Sequence, residues 1–290
     1  MSFAIVTDSC ANLLDETVDK YDISVLPLTF MSDGQTFTSY NREEKSNLAS
    51  FYKMMREGKV FTTSLPNLND SKETLAKLLD DGQDILFMAF SSALSGTYTA
   101  IDLIAKELRA AYPNQKILTI DTLAASLGQG MLVWNAATIR EDGASIEEVY
   151  KWVEDNKLNV AQWFTVDDLM YLYRGGRVSK TAAFAGTMLN IKPVLHVDDM
   201  GHLVPKEKVR GRKKSIEALL AHMEKTIKQP YTGKVLITHG DCIEDAEHLK
   251  AMIQEKFNVA EIYINYVDPV IGAHSGPGTL ALFYMASSRD

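Results

Sequence analysis

The sequence predicts an α/β protein of two lobes. The first is built on a parallel, Rossmann-like sheet and the second on a sheet with mixed or antiparallel pairing. Three observations predict it. Apolar runs of strand length alternate with amphipathic stretches of helix length across the first half, the pattern of βα units with right-handed crossovers. Three of those runs empty into hydroxyl-rich turns, Thr7–Ser9, Ser91–Thr97 and Asp121–Ser126. Farther on, Lys192–Val197 and Leu203–Lys208 flank Asp198–Gly201 with hairpin spacing. No repeat, low-complexity tract or flexible linker interrupts the chain. Residues 3–288 therefore read as one unit, with lobes over about 1–157 and 158–290.

Phe3-Ala4-Ile5-Val6 is a short buried strand, and a helix capped near Asn12 runs to about Tyr21. Ser24 to Phe30 reads as one strand, and Asp33-Gly34 as the turn into Gln35–Thr38. Leu48, Phe51, Tyr52 and Met55 have helical spacing within Arg42–Glu57, and Gly58 is a natural stop. Phe61–Pro66 is too short and too hydroxylated for a core element. A helix over Asp70–Leu79 leads through Asp81-Gly82 to Ile85–Phe90, an unbroken apolar run that predicts a strand buried on both faces. A helix over about Tyr98–Arg109, a strand at Lys116–Ile120 and helices to about Arg140 and over Ser145–Val153 close this half.

In the second half Val160–Thr165 is a strand, Asp167–Tyr173 a short helix, Arg174-Gly175-Gly176-Arg177 a forced turn and Lys180–Leu189 a helix. After the hairpin come a helix over Arg210–Lys228, a strand at Lys234–Thr238 ending in His239-Gly240-Asp241, and a helix over Glu244–Phe257. Ala260–Val267 is the last expected strand. A glycine-rich loop over Pro269–Gly278 and an apolar closing helix to about Ala286 follow it.

Composition narrows the function. A net charge of −8 argues against a nucleic-acid binder, which needs a basic face. Hydrophobic residues at 46% and charged ones at 23% exclude a disordered chain or a coiled coil. Cys10 and Cys242 have no paired spacing, so neither a zinc site nor a disulfide framework is expected. The N-terminus enters a strand at once, and no apolar run reaches membrane-spanning length, so a cytoplasmic protein without stable membrane insertion is expected.

Ligands of open parallel sheets sit at the carboxyl ends of the strands, which puts the three hydroxyl turns on one edge with Thr62–Ser64 beside them. The first N–H groups of a helix lack internal partners and face a positive dipole end. Thr63, Ser95 and the N–H groups near Gly96 thus suit a carboxylate or phosphate, although the same residue types also serve as plain caps and turns. Neither a Gly-x-x-x-x-Gly-Lys-Ser/Thr loop nor a three-glycine dinucleotide turn is present, which favours a small monoanion. In the constrained stretch Gly272–Gly278, His274 could donate to an anion from either ring nitrogen. Arg177, after two glycines, projects rigidly toward an anion or a partner's phosphate, or else lies solvated in a surface turn. Arg210-Gly211-Arg212-Lys213-Lys214 opposes the helix dipole, and is either a solvated face or a docking patch for an acidic partner.

Other chemistries fit less well. Ser95 with His274 as base would make an esterase or thioesterase, yet Ser95 lacks the flanking glycines of a Gly-x-Ser-x-Gly elbow and no third member is evident. Asp8 lacks the second aspartate of a phosphatase motif. Among Asp8, His239, Asp241 and His274 only His239 and Asp241 are closely spaced, so no metal is expected. A lipid-sensing or DNA-binding regulator is a third class, and the acidic balance speaks against DNA contact.

Taken in order, Thr7-Asp8-Ser9, Thr63-Ser64-x-Pro66, Ser91-Ser92-x-Leu94-Ser95-Gly96-Thr97-Tyr98, Arg174-Gly175-Gly176-Arg177-Val178-Ser179, Leu189-Asn190-Ile191-Lys192-Pro193-Val194-Leu195 and Gly272-x-His274-Ser275-Gly276-Pro277-Gly278 resemble the DegV family over nearly the whole chain. Its members include the fatty-acid-binding subunits of bacterial fatty acid kinase. The resemblance implies two α/β lobes enclosing one long-chain fatty acid, with no cofactor. The carboxylate would be held at Thr63 and Ser95, with Gly96, His274 and Arg177 close by. A separate ATP-dependent kinase subunit, docking near Arg174, Arg177, Arg210 and Arg212, would phosphorylate it to an acyl phosphate for phospholipid synthesis. Such a subunit has no activity alone. Leu65, Asn67, Ala93, Thr122 and Ser275 depart from residues frequent in the family, which bears on pocket shape and leaves the head-group chemistry intact. An apolar tunnel is needed for the tail, and Met88, Phe90, Phe164, Phe184 and Met188 are candidates to line it.

Overall fold

The computed structural model describes residues 3–43, 46–180, 190–227, 230–257, 259 and 261–289. The first lobe runs β1 (Phe3–Asp8), α1 (Asp15–Lys20), β2 (Ser24–Leu26), β3 (Thr29–Ser32), β4 (Gln35–Thr38), α2 (Leu48–Arg56), β5 (Thr62–Ser64), α3 (Leu68–Asp80), β6 (Asp84–Ala89), α4 (Thr97–Ala111), β7 (Ile117–Asp121), α5 (Leu127–Glu141) and α6 (Ile146–Asn156). The second runs β8 (Val160–Thr165), α7 (Met170–Arg174), β9 (Ile191–Val197), β10 (Leu203–Arg210), α8 (Arg212–Thr226), β11 (Val235–His239), α9 (Ile243–Phe257), β12 (Ile262–Tyr266), α10 (Pro269–Ser275) and β13 (Leu280–Met285).

The first lobe holds a wholly parallel sheet in the order β2-β1-β6-β7. Its central strand β6 is buried along its entire length, as a run apolar on both faces requires. The carboxyl ends of β1, β6 and β7 therefore share one edge. The second lobe holds a mixed sheet, β10-β9-β8-β13-β11-β12, in which only β11 and β12 are parallel. Between the two sheets lies α5, which packs on β1 and β6 of one and on β8, β11 and β13 of the other. It is buried nearly all round from Leu127 to Ala137, as its mostly apolar sequence requires, and its buried Gln129 side chain donates to Thr7 and Asp8 of β1.

Several elements differ from the sequence expectations. The closing apolar segment is a strand, not a helix: β13 inserts between β8 and β11. Leu280, Leu282 and Tyr284 enter one core and Ala281 and Phe283 the other, and a short run buried on both faces carries no period that separates the two structures. Residues 269–275 are helical rather than looped, because Pro269 opens the first turn and Asp268 caps it. Ser24–Phe30 is broken at Pro27, so β2 joins the parallel sheet while β3 pairs elsewhere. Thr62–Ser64 stays outside the core, as expected, and forms an edge strand of a small antiparallel sheet β4-β3-β5. Asn12 closes a 3-10 turn over Ser9–Ala11 with φ 57° instead of capping α1. The helix expected from Arg42 begins at Leu48, where the Asn47 side chain accepts from Ser50 N–H. Most of the helix expected over 180–189 lies outside the described residues.

Candidate functional site

An apolar cavity of about 310 Å³ lies between the lobes, within the usual range for small-molecule sites. The turn after β6, α10 and the inward faces of β8 and β13 all reach it. Thr63, Ser95, Gly96, Arg177 and His274 line it together, beside Phe90 and Phe164. Residues as far apart as Thr63 and His274 thus meet, and their side chains bond, Oγ1 to Nε2 at 2.7 Å.

The His274 ring has little freedom. A Cβ on Gly175 would stand 2.2 Å from Nδ1, so the first glycine of the Gly-Gly pair is there for space, at an ordinary φ of −72°. Only Gly176 uses the left-handed region, at φ 74°. Burial, with the charge of Arg177 in addition, lowers the His274 pKa to about 4. The imidazole is therefore neutral at pH 7, with one donor and one acceptor nitrogen. With Nε2–H donating to Thr63 Oγ1, the Thr63 hydroxyl hydrogen is free to point into the cavity. The two ring nitrogens expected to serve an anion directly instead face Thr63 and the Gly175 backbone.

Ser95 differs in setting from its neighbours. Ser91 Oγ donates to Gly201 O across the lobes at 2.9 Å, and Ser92 N–H donates to Asp121. Ser95 Oγ pairs with Thr97 Oγ1 at 2.9 Å and lines the cavity, so it is part turn and part wall. Gly96 caps α4 with no side-chain bond of its own. The Arg177 guanidinium donates twice to Leu94 O, at 3.2 and 3.1 Å, and also to Gly175 O. It thereby ties the Ser95 turn to the Gly-Gly turn. Its pKa is lowered by burial. Among the described residues, no hydrogen bond joins Ser95 to His274, so the hydrolase arrangement lacks its nucleophile–base contact.

Of the other candidate residues, Met88 does not line the cavity. It packs in the core between the first sheet and α5, where close packing of the buried β6 run holds it. Phe184 and Met188 lie outside the described residues. Arg174 is exposed and stacks over the Tyr171 ring at 4.6 Å. Arg210 is exposed at the end of β10. Arg212 is not a free cation: its Nε donates to Asp245 at 2.8 Å and its Nη1 lies 3.9 Å from Asp167.

Two buried carboxyls hold the loops around this site. Asp8 accepts from Cys10 N–H at 3.0 Å and Phe90 N–H at 2.8 Å, and burial pushes its pKa up to about 6. Asp268 accepts from Val270 N–H at 2.7 Å at the start of the helix that carries His274, and burial pushes it up to about 8. A carboxyl raised in the folded state favours folding in its protonated form. That contribution is complete below the ordinary value of 3.8 and is lost as pH rises through about 8. Asp268→Asn keeps the cap acceptor, so its thermal stability relative to the parent should climb steadily from pH 4 to pH 8. Melts at four pH values check this, and a parent that gains on the variant with rising pH would reverse the assignment.

The sequence marks Gly175 as part of a turn and not for the space it leaves His274, and Asp268 is not singled out from it at all. The signal that could have found Asp268 is an Asp-Pro at a helix start, and the sequence carries none that separates Gly175 from Gly176.

The described residues contain no helix long and apolar enough to cross a membrane. A model of the DegV family, described as an uncharacterised protein family, matches residues 2–287. A DegV domain-containing protein of Clostridium perfringens is 44% identical, with 99% of each chain covered. A fatty acid-binding protein of Thermotoga maritima is 34% identical over 97% of this chain and 96% of its own. The solved structure of a DegV family protein from Thermus thermophilus, described for its fatty acid binding, superposes with a TM-score of 0.89 at 28% identity, covering 99% of this chain and 100% of its own.

Proposed function

This chain belongs to the DegV family, and on that premise we propose that it carries one long-chain fatty acid between its lobes. The carboxylate is gripped by Thr63, Ser95 and the N–H groups at Gly96. Neutral His274 aims the Thr63 hydroxyl, and Arg177 supplies the compensating charge that a buried anion needs. A separate ATP-dependent kinase subunit, docking near Arg174 and Arg210, phosphorylates the presented carboxylate to an acyl phosphate that feeds phospholipid synthesis.

The observation that carries this reading is the convergence of those five residues on a cavity whose remaining wall is mostly apolar. Burying ten methylenes contributes about 8 kcal/mol at ~0.8 each, so the tail supplies affinity. The polar groups orient the head. Relatives described as fatty acid binders lend support. Native mass spectrometry of protein purified from a lipid-replete host should show one fatty acid retained, and acyl phosphate should form with ATP only when a kinase subunit is added. A clean ligand-free spectrum would overturn the proposal.

A further inference from the structure

The second lobe's wall of the cavity is not uniformly greasy. Strand register places Phe164, Ala281 and Thr238 in one row across β8, β13 and β11, with Gln162 opposite Phe283 in the next row. Paired residues and residues two apart on a strand share a face, so all five side chains face the first lobe, and all five line the cavity. Gln162 is 1% exposed. Its carboxamide has a fixed orientation, because Oε1 accepts from the backbone N–H of Ala125 at 2.9 Å, a bond that only the oxygen can make. Gly128 provides the room, since a Cβ there would stand 2.3 Å from Oε1. The other arm, Nε2, is buried and has no partner among the described residues. Thr238 Oγ1 lies in the same wall, 3.3 Å from Ser126 Oγ. Capping the Ala125 amide accounts for the oxygen of Gln162 and leaves two amide hydrogens unpaired, which buried polar groups rarely tolerate.

We propose that the acyl chain this cavity selects is a hydroxy fatty acid, whose in-chain hydroxyl oxygen accepts from Gln162 Nε2 while its hydrogen is donated to Thr238 Oγ1. This rests on the carrier reading above and names the class of chain it takes. Neither Gln162 nor Thr238 is part of the head-group site, so the two interactions are separable.

The test is calorimetric titration of the delipidated full chain with stearate and with a positional series of hydroxystearates. One mid-chain isomer should bind about tenfold tighter than stearate, equal to about 1.4 kcal/mol. Isomers whose hydroxyl meets Phe164 or Phe283 should bind more weakly than stearate. In Thr238→Val, and in Gln162→Met, the preference for the favoured isomer should fall below threefold. Gln162→Met also strands the Ala125 N–H, so if it fails to fold, Thr238→Val and the parent series decide. A parent that ranks every hydroxystearate below stearate overturns the proposal. A parent that binds no fatty acid at all overturns the carrier reading, and this one with it.

Discussion

Replacing Thr63 with valine and Ser95 with alanine together should weaken long-chain fatty acid binding by more than about a hundredfold, with a moderate fall in melting temperature beside it. A hydrogen bond to a charged group contributes about 1.5–3 kcal/mol, and each 1.4 kcal/mol is about tenfold in affinity, so losing two exceeds that bound. The fold should survive because neither side chain is fully buried, but Thr63 leaves His274 Nε2 and Ser95 leaves Thr97 without their partners, a cost of about 1–3 kcal/mol. Titration with oleate alongside thermal melts gives both numbers. A double variant that binds within threefold of the parent would place the carboxylate elsewhere.

The second large effect is expected at Gly175. Its backbone is ordinary, so Gly175→Ala tests space alone, and the added carbon would sit 2.2 Å from His274 Nδ1. Either the ring leaves Thr63 or α7 shifts, at a cost of about 1–3 kcal/mol, the usual range for overpacking. Fatty acid affinity should fall at least tenfold as Thr63 loses its orienting partner. Gly176→Ala is the control. It meets nothing within 4 Å but sits at φ 74°, so it should cost about 1 kcal/mol of stability and leave affinity near that of the parent. Equal losses of affinity in the two variants would mean that the turn, not the ring, matters.

Elements with a single physical solution were legible in the sequence. β8 is read residue for residue, because Val160–Thr165 is a buried run that starts after Asn159 and stops one residue short of Asp167-Asp168. Asp33-Gly34 was read as a hairpin turn, and both residues do adopt positive φ. The closing strand was not legible, since an apolar run of six buried on both sides satisfies a helix and a strand alike. Thr63, Ser95, Arg177 and His274 are each legible as anion-binding candidates, but their assembly into one site comes from ordered motifs resembling a family, because residues 211 positions apart carry no mutual spacing signal. The reason for Gly128 and for Gly175 is not legible in the sequence. Each makes room for a side chain from a distant element, Gln162 and His274, and one sequence does not reveal who stands opposite.

The helix α5, wedged between the two sheets and buried nearly all round, has a bearing on traffic. Were the halves to swing open like a clamshell, the buried face that it turns to the departing sheet would be wetted at once, at a cost in proportion to the apolar area uncovered. Entry and exit therefore belong to small pieces of the rim, and a crosslink joining the two sheets through that helix should leave lipid exchange as fast as before.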